Sequence, residues 1–213
     1  MLTVHHLGKS QSERIVWLCE ELELPYTLKR YERLASNMLA PPEYKALHPL
    51  GAAPVINDGD LVLAESAAIV EYLINKHGGG KLAVPPDHPD YATYLYWFHF
   101  SNGNLQSIMA RLMTLLRLNP AEDNGPRVAT EARLALALGL VEQRLSKTDF
   151  LAGNDFTAAD IMTVFSLTTM RYFLPQDFSA YPSILAYLQR IAARPGYQRA
   201  MEKGDPGMPL LLT

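Results

Sequence analysis

The sequence predicts an α/β domain followed by an all-helical one, on three observations. Up to about residue 77 short strand-like runs alternate with helical ones, and from residue 91 the apolar spacing is helical almost throughout. Between these halves stand Gly78-Gly79-Gly80 and Pro85-Pro86-Asp87-His88-Pro89-Asp90, too rich in glycine and proline to lie inside an element. The expected organisation is therefore a first domain at 1–77, a linker at 78–90 and a second domain at 91–213.

Taken in order, Leu2 to Leu7 reads as a strand, and Glu13 to Leu24 carries Ile15, Leu18, Cys19 and Leu22 on one helical face. Pro25 stops that helix and Tyr26 to Tyr31 returns as a second strand, which makes a βαβ unit. Val55-Ile56 and Leu61-Val62-Leu63 flank Asn57-Asp58-Gly59-Asp60, whose Asp-Gly step suits a tight hairpin. Ser66 to His77 closes the half as a helix with Ile69, Val70 and Leu73 inward, so the pattern is βαβ then ββα. Beyond the linker, Tyr91 to Leu118 reads as one long aromatic-rich helix and Arg127 to Leu145 as a second built on Leu134, Leu138, Val141 and Leu145. Helices at Thr157 to Phe173, Pro182 to Ala193 and Gly196 to Glu202 complete a bundle, ahead of an apolar tail from Met208. Thr157-x-x-Asp160 has the form of a capping box, with Asp in place of the usual Glu.

Charge and cysteine content exclude several classes. Nineteen basic against 22 acidic residues leave a net charge of −3, with no basic run to hold a phosphate backbone, so nucleic acid is not an expected partner. The single cysteine, Cys19, allows no internal disulfide or cysteine-based metal cluster, and its place on the apolar helix face marks it as a packing residue. The opening residues lack a secretory pattern and the longest apolar run, Leu134 to Val141, is far too short for a bilayer, so the expectation is a cytoplasmic protein without a membrane partner. His5 and His6, neighbours on a strand, point to opposite faces and cannot share a metal; all six histidines read as structural or solvated, and no metal is expected.

The polar loop Gly8-Lys9-Ser10-Gln11-Ser12-Glu13-Arg14 joins the first strand to the first helix. Amide groups at a helix start favour a bound anion, and Ser10 and Ser12 bring hydroxyls there. Ser10-x-x-Glu13 is equally a capping box, so spacing alone leaves capping and catalysis both open. Ala53-Pro54 precedes a hairpin strand, where proline either ends an edge or sits in a cis bond that turns the Ala53 backbone outward. Glu65-Ser66 stands at another helix start, able to receive a carboxylate and to accept from an ammonium; alone, Ser66 reads as a cap.

Taken together, Ser10-Gln11-Ser12-Glu13-Arg14, His48-Pro49-Leu50-Gly51-Ala52-Ala53-Pro54-Val55, Glu65-Ser66-Ala67-Ala68-Ile69 and the Phe156 to Asp160 cap stand in register, and the chain resembles the cytosolic glutathione S-transferases. Its nearest likeness is to serine-type bacterial members, related to the theta and delta classes and to fungal homologues. The resemblance covers nearly the whole chain and implies a thioredoxin-like first domain, glutathione as cosubstrate and a homodimer. It implies that Ser10, with Ser12 as fallback, hydrogen-bonds the glutathione sulfur, that Ala53 pairs its backbone with the cysteinyl unit beside a cis Pro54, and that Glu65 and Ser66 hold the γ-glutamyl end. Leu39 and Ala52 stand where relatives often carry a polar group for the glycyl carboxylate, and Lys45, Lys9 or His48 are the substitutes at hand. Asn102 takes the place of an acid that in many relatives reaches the partner's glutathione. Leu7, Lys9, Phe100, Asn104, Ile108, Arg111 and Met208 are the candidates to meet a small hydrophobic electrophile in a cleft between the domains.

Energetics suit that role. Lowering a thiol from about 8.5 by two units needs ~2.7 kcal/mol of preferential thiolate stabilisation. One hydrogen bond to a charged group supplies roughly 1.5 to 3 kcal/mol and a helix start about 0.3 to 1 kcal/mol, so on this arithmetic no general base is required. The function expected is transfer of the glutathione thiolate to hydrophobic electrophiles; a glutathione-dependent peroxidase and a non-catalytic binding or regulatory protein of the same fold are the alternatives. A hydroxyl at position 10 cannot form the mixed disulfide of a thiol reductase.

Overall fold

A computed structural model describes all 213 residues. In chain order the elements are β1 (Leu2–Leu7), α1 (Glu13–Glu21), β2 (Thr27–Tyr31), α2 (Pro42–Lys45), β3 (Val55–Asp58), β4 (Leu61–Ala64), α3 (Ser66–Lys76), α4 (Tyr91–Phe100), α5 (Ser107–Arg117), α6 (Gly125–Leu145), α7 (Ala158–Leu167), α8 (Pro182–Ala192) and α9 (Pro195–Gly204). The chain divides into two compact units, Met1–Ala83 with Ile191–Leu210, and Val84–Arg190 with Leu211–Thr213.

The first unit is built on a four-stranded sheet ordered β2-β1-β3-β4, with β1 parallel to β2 and antiparallel to β3, and β3 antiparallel to β4. This is the mixed sheet that the βαβ-ββα pattern predicts. β1 is interior and buried at five of its six positions, whereas β2 at the edge is largely exposed. Gly59, at φ +59, supplies the left-handed residue of the β3–β4 turn. α1 is shorter than the predicted Glu13 to Leu24 helix: Leu22 caps it, and Glu23 takes a left-handed φ of 52° before Pro25.

α9 belongs to this first unit, although its position in the chain predicts it in the bundle, so the expected 91–213 domain does not coincide with the second unit. Charge complementarity with α1 accounts for the difference. Arg194 gives two 2.8 Å hydrogen bonds to the Glu21 carboxylate, while Glu20 accepts from Arg199 at 3.0 Å and from Lys203 at 2.5 Å. Tyr197 lies edge-on to Trp17 with ring centroids 4.9 Å apart. Gly196 allows this close crossing, since a Cβ there would come within 2.6 Å of the Glu21 carboxyl carbon and displace that side chain. Burial raises the Glu20 carboxyl, but hydrogen bonds from Lys203, Tyr26 and Arg199 outweigh it and hold the group below its ordinary range.

The second unit is helical. Tyr91 to Leu118 is not one α-helix: a π-helical stretch at Ser101–Gln106 separates α4 from α5. Ser101, Asn102, Gly103 and Asn104 are weak helix formers, and the Ser101 hydroxyl donates to the Met162 carbonyl on α7. The Thr157 to Phe173 expectation is likewise shortened. α7 ends at Leu167, Thr168 breaks the helical dihedrals, and a 3₁₀ turn follows at Thr169–Tyr172.

Every residue of α7 is buried, and its start is the predicted capping box. The Asp160 carboxylate accepts from the backbone N–H groups of Leu151 at 3.0 Å and Thr157 at 2.9 Å, and from the hydroxyls of Thr157 and Tyr187 at 3.3 and 3.0 Å. Burial pushes this carboxyl up to about 6 against the pull of those four donors. Asp160→Ala orphans all four at once, so we expect it to cost roughly 3 to 5 kcal/mol of stability. Urea denaturation measures this, and a loss below about 1 kcal/mol would show that the donors find other partners.

Candidate active site

Strand register gathers the predicted motifs at one end of the first unit's sheet. β1 finishes at Leu7; β3, paired with it through His5 and Val55, begins there; and β4, paired through Val55 and Ala64, finishes there. The three segments leaving that end are Gly8 to Ser12, Ala53-Pro54 and Glu65-Ser66.

The serine loop is held from several sides. Gly8 N–H donates to the Tyr31 carbonyl at 2.9 Å, and the Arg33 guanidinium donates to the Gly8 carbonyl at 2.8 Å and the Lys9 carbonyl at 3.1 Å. Lys9 adopts a left-handed φ of 52°, a strained backbone that these bonds fix. Ser10 and Ser12 are buried, and their Oγ atoms lie 2.7 Å apart.

Ser10-x-x-Glu13 does not act as a capping box. No side chain caps α1; Ser12 N–H donates to Ser10 Oγ at 3.2 Å, and Ser12 Oγ turns back to accept from Leu7 N–H at 3.1 Å. Nor are the first-turn amides available as predicted. Glu13, Arg14, Ile15 and Val16 N–H groups donate to the carbonyls of Ser10, Gln11 and Ser12, closing the tight turn on itself. The pull of this helix end on an anion is therefore weaker than four open amides would exert.

Ser12 also lies 3.0 Å from His6 Nδ1, and His6 Nε2 lies 3.0 Å from Asp205 Oδ2. The Asp205 carboxylate, just beyond α9, accepts from Lys9 N–H through Oδ1 at 3.0 Å. Burial raises that carboxyl, but the hydrogen bond and charge of His6, the Lys9 amide and the charge of Arg30 outweigh it and keep it below the ordinary 3.8. Glycine lets these groups approach: a Cβ on Gly204 would stand 3.2 Å from His6 Nε2, and one on Gly8 3.3 Å from Asp205 Oδ1.

Arg14 joins the Glu65-Ser66 segment to this loop. It is fully buried, donating to Gln11 Oε1 at 2.9 Å and to the Ser66 hydroxyl at 3.3 Å, and burial pulls its guanidinium down to about 9 despite the adjacent Glu13. Ser66 is buried at the start of α3, while the preceding Glu65 is exposed with a left-handed φ of 73°. That backbone is unfavourable for a side chain of this type, as is common where a residue is held for a ligand. The Ala53–Pro54 bond is cis.

Comparison with known proteins matches the same two halves. Residues 10–76 fit the model of the glutathione S-transferase N-terminal domain, and residues 107–195 that of the C-terminal domain. Glutathione S-transferase 3 of Schizosaccharomyces pombe is 33% identical over 216 residues, spanning 95% of this chain and 88% of the relative. The chain belongs to the glutathione S-transferase family. A glutathione S-transferase structure from Actinobacillus pleuropneumoniae superimposes with a TM-score of 0.85 at 36% identity, covering 96% of this chain and 93% of that one. A glutathione transferase from Burkholderia graminis, solved with two glutathione molecules bound per subunit, gives a TM-score of 0.76 at 26% identity, over 97% and 89% of the two chains.

Within this family member, the predicted site residues differ in burial. The Leu7 side chain is buried in a core cluster with Ala40, Tyr44 and Val55, so only its backbone faces the serine loop. Phe100 and Ile108 are also buried, which is where aromatic and branched residues on an apolar helix face belong, whereas Asn102, Asn104 and Met208 are half-exposed and Arg111 is exposed. Lys45 is exposed and His48 half-exposed, with Nδ1 accepting from Leu50 N–H at 3.3 Å. Cys19 is completely buried and its thiol is raised to about 12 by that burial, with Glu20 adding to it. His6 and Asp205 are the groups that sequence reading did not bring to the loop. Nothing local signals a pairing across 199 positions, and only the strand face of His6, opposite His5, hinted at its direction.

Because the folded Asp205 carboxyl lies below 3.8, its ionisation adds stability that is fully present above 3.8 and is lost as the pH falls through its folded value. Asp205→Asn should therefore be less stable than wild type at neutral pH, with the gap narrowing below 3.8. Thermal melts across that range check it; a gap independent of pH would contradict the assignment.

Proposed function

We propose that this chain binds glutathione at the serine end of the first unit's sheet, holds its sulfur as the thiolate at Ser10, and transfers it to a small hydrophobic electrophile. The observation that carries the reading is the Ser10–Ser12 hydroxyl pair, set at the same sheet end as Ala53-Pro54 and Glu65-Ser66 in a chain of this family. The Ala53 backbone would pair with the cysteinyl unit, and Glu65 and Ser66 would hold the γ-glutamyl end, Glu65 accepting from its ammonium. Lys45, Lys9 and His48 are the groups for the glycyl carboxylate. Relatives solved with glutathione bound support the choice of cosubstrate.

Chemically, the hydroxyl pair supplies a donor for a sulfur anion, and the work remaining is orientation of two reactants. The electrophile accepts the sulfur lone pair while its leaving group departs with the bonding electrons, or its double bond takes up the pair in an addition. The sealed Cys19 supports transfer over thiol-disulfide exchange, since no protein thiol is exposed.

Losing the donor removes roughly 1.5 to 3 kcal/mol from the thiolate, so Ser10→Ala should lower conjugation of an activated aryl chloride by about 10- to 100-fold with the fold retained. Equal activity in the variant refutes the role of Ser10. Running cumene hydroperoxide beside the aryl chloride separates transfer from peroxidase chemistry.

The homodimer and the cytoplasmic setting are part of the same proposal. No helix is long and apolar enough to cross a membrane. Met38, Leu39 and Leu50 in the first unit and Tyr96 in the second are exposed apolar side chains that a second copy would cover. Light scattering should return twice the chain mass; a monomer at micromolar concentration contradicts the dimer.

A further inference from the structure

The buried chain Asp205–His6–Ser12–Ser10 has a direction, and that direction bears on the reading above. An ionised Asp205 can only accept, so the His6 hydrogen sits on Nε2 and points at Oδ2. With one hydrogen on the ring, Nδ1 is then an acceptor, and the Ser12 hydroxyl, 3.0 Å away, donates to it in preference to the Leu7 carbonyl at 3.3 Å. Ser12 Oγ, its proton spent, accepts from Leu7 N–H and from the Ser10 hydroxyl. Ser10 in turn has given its proton inward and accepts from Ser12 N–H. In this polarity Ser10 presents a lone pair outward, the wrong end for stabilising a sulfur anion but the right end for taking a hydrogen bond from S–H.

One event reverses the bonds from Ser10 to His6 and leaves the His6–Asp205 bond as it is. We propose that His6, held by Asp205, receives the proton of bound glutathione through Ser10 and Ser12. The S–H bond breaks and its proton joins Ser10 Oγ; the former Ser10 proton passes to Ser12 Oγ, and the former Ser12 proton to His6 Nδ1. Sulfur keeps the electron pair. The products are a thiolate and an imidazolium whose charge faces the Asp205 carboxylate, and net charge is unchanged. Ser10 now carries a hydroxyl that points back at the sulfur as donor, so the same shift both makes the anion and creates its hydrogen bond. When the thioether leaves, the imidazolium proton returns along the two serines to solvent.

This deepens the glutathione transferase reading and depends on it. His6 and Asp205 act through the serines and are positioning residues; Ser10 alone touches the sulfur. The charged groups around them are few. Arg30 pairs in register with His6 from β2, Asp205 comes from the end of α9, Lys9 and Arg33 border the loop, Glu32 lies beside Gly8, and Glu13 with Arg14 follow Ser12 on α1. Arg30 donates to the Gly204 carbonyl at 2.9 Å and Arg33 to loop carbonyls, so neither cation is hydrogen-bonded to the ring.

His6→Asn places an amide near the Nδ1 position, where it still bonds Ser12 but takes up no proton. With the full-length chain, four quantities are followed against pH: the ultraviolet mercaptide band of bound glutathione, protons released to solvent per mercaptide formed, kcat and KM. In wild type the release should be below one proton per mercaptide, because His6 keeps a share. In His6→Asn release should rise to one, the mercaptide midpoint should move up by about one unit, and kcat near neutrality should fall roughly tenfold with KM for glutathione little changed, recovering toward the free thiol value of about 8.5. Asp205→Asn should move the same quantities in the same direction and serves alone if His6→Asn does not fold.

Folded variants that bind glutathione with the wild-type mercaptide profile and proton release overturn the relay. Ser10→Ala distinguishes this from failure of the underlying reading. If it abolishes the mercaptide while the His6 and Asp205 variants leave it intact, the relay alone is wrong. If wild type forms no mercaptide at all, the transferase reading fails and the relay with it.

Discussion

The register of β1 against β3 decides which side of the sheet each of the two adjacent histidines occupies. His5 faces Tyr31 and Asn57, with ring nitrogens 2.9 and 2.7 Å from their oxygens, whereas His6 faces Ser12 and Asp205. A slip of one residue would exchange the two rings. The same pairing brings the ends of β1 and β4 and the start of β3 together, so the loop serines, Ala53-Pro54 and Glu65-Ser66 owe their common location to one set of backbone hydrogen bonds.

A second constraint comes from the far end of the chain. α9 is drawn to α1 by carboxylates at successive positions, Glu20 taken up by Arg199 and Lys203 of α9 and Glu21 by Arg194 just before it. Such partly buried pairs contribute modest net stability, yet removing one partner leaves a desolvated charge, so they fix geometry more than they add energy. What they fix is the position of Asp205 immediately after α9. The helix that looks like a terminal appendage in the sequence thus supplies the carboxylate behind the serine loop.

Much of this architecture was legible in the sequence because it rests on local signals. Alternation gave the strands, the Asp-Gly step gave the hairpin, and Thr157-x-x-Asp160 gave the start of α7. The departures occur where distant residues compete with local pattern. Ser101 gives its hydroxyl to an α7 carbonyl where the long helix loosens into a π turn; α9 joins the first unit through charges that no window spans; and Ser10-x-x-Glu13, a sound capping sequence, is diverted because Ser10 Oγ is engaged with Ser12. At the candidate site the serines could be named from the loop, but the groups behind them could not, since His6 and Asp205 carry no motif and meet only through tertiary packing.

Sealing Cys19 has a consequence for durability. A protein that hands sulfur nucleophiles to electrophiles works among molecules that alkylate any available thiol, and a surface cysteine would be consumed by the very compounds being processed. With its one thiol shut inside the first unit and kept protonated, the protein presents these reagents with no cysteine nucleophile of its own, so the cosubstrate's sulfur is the one expended.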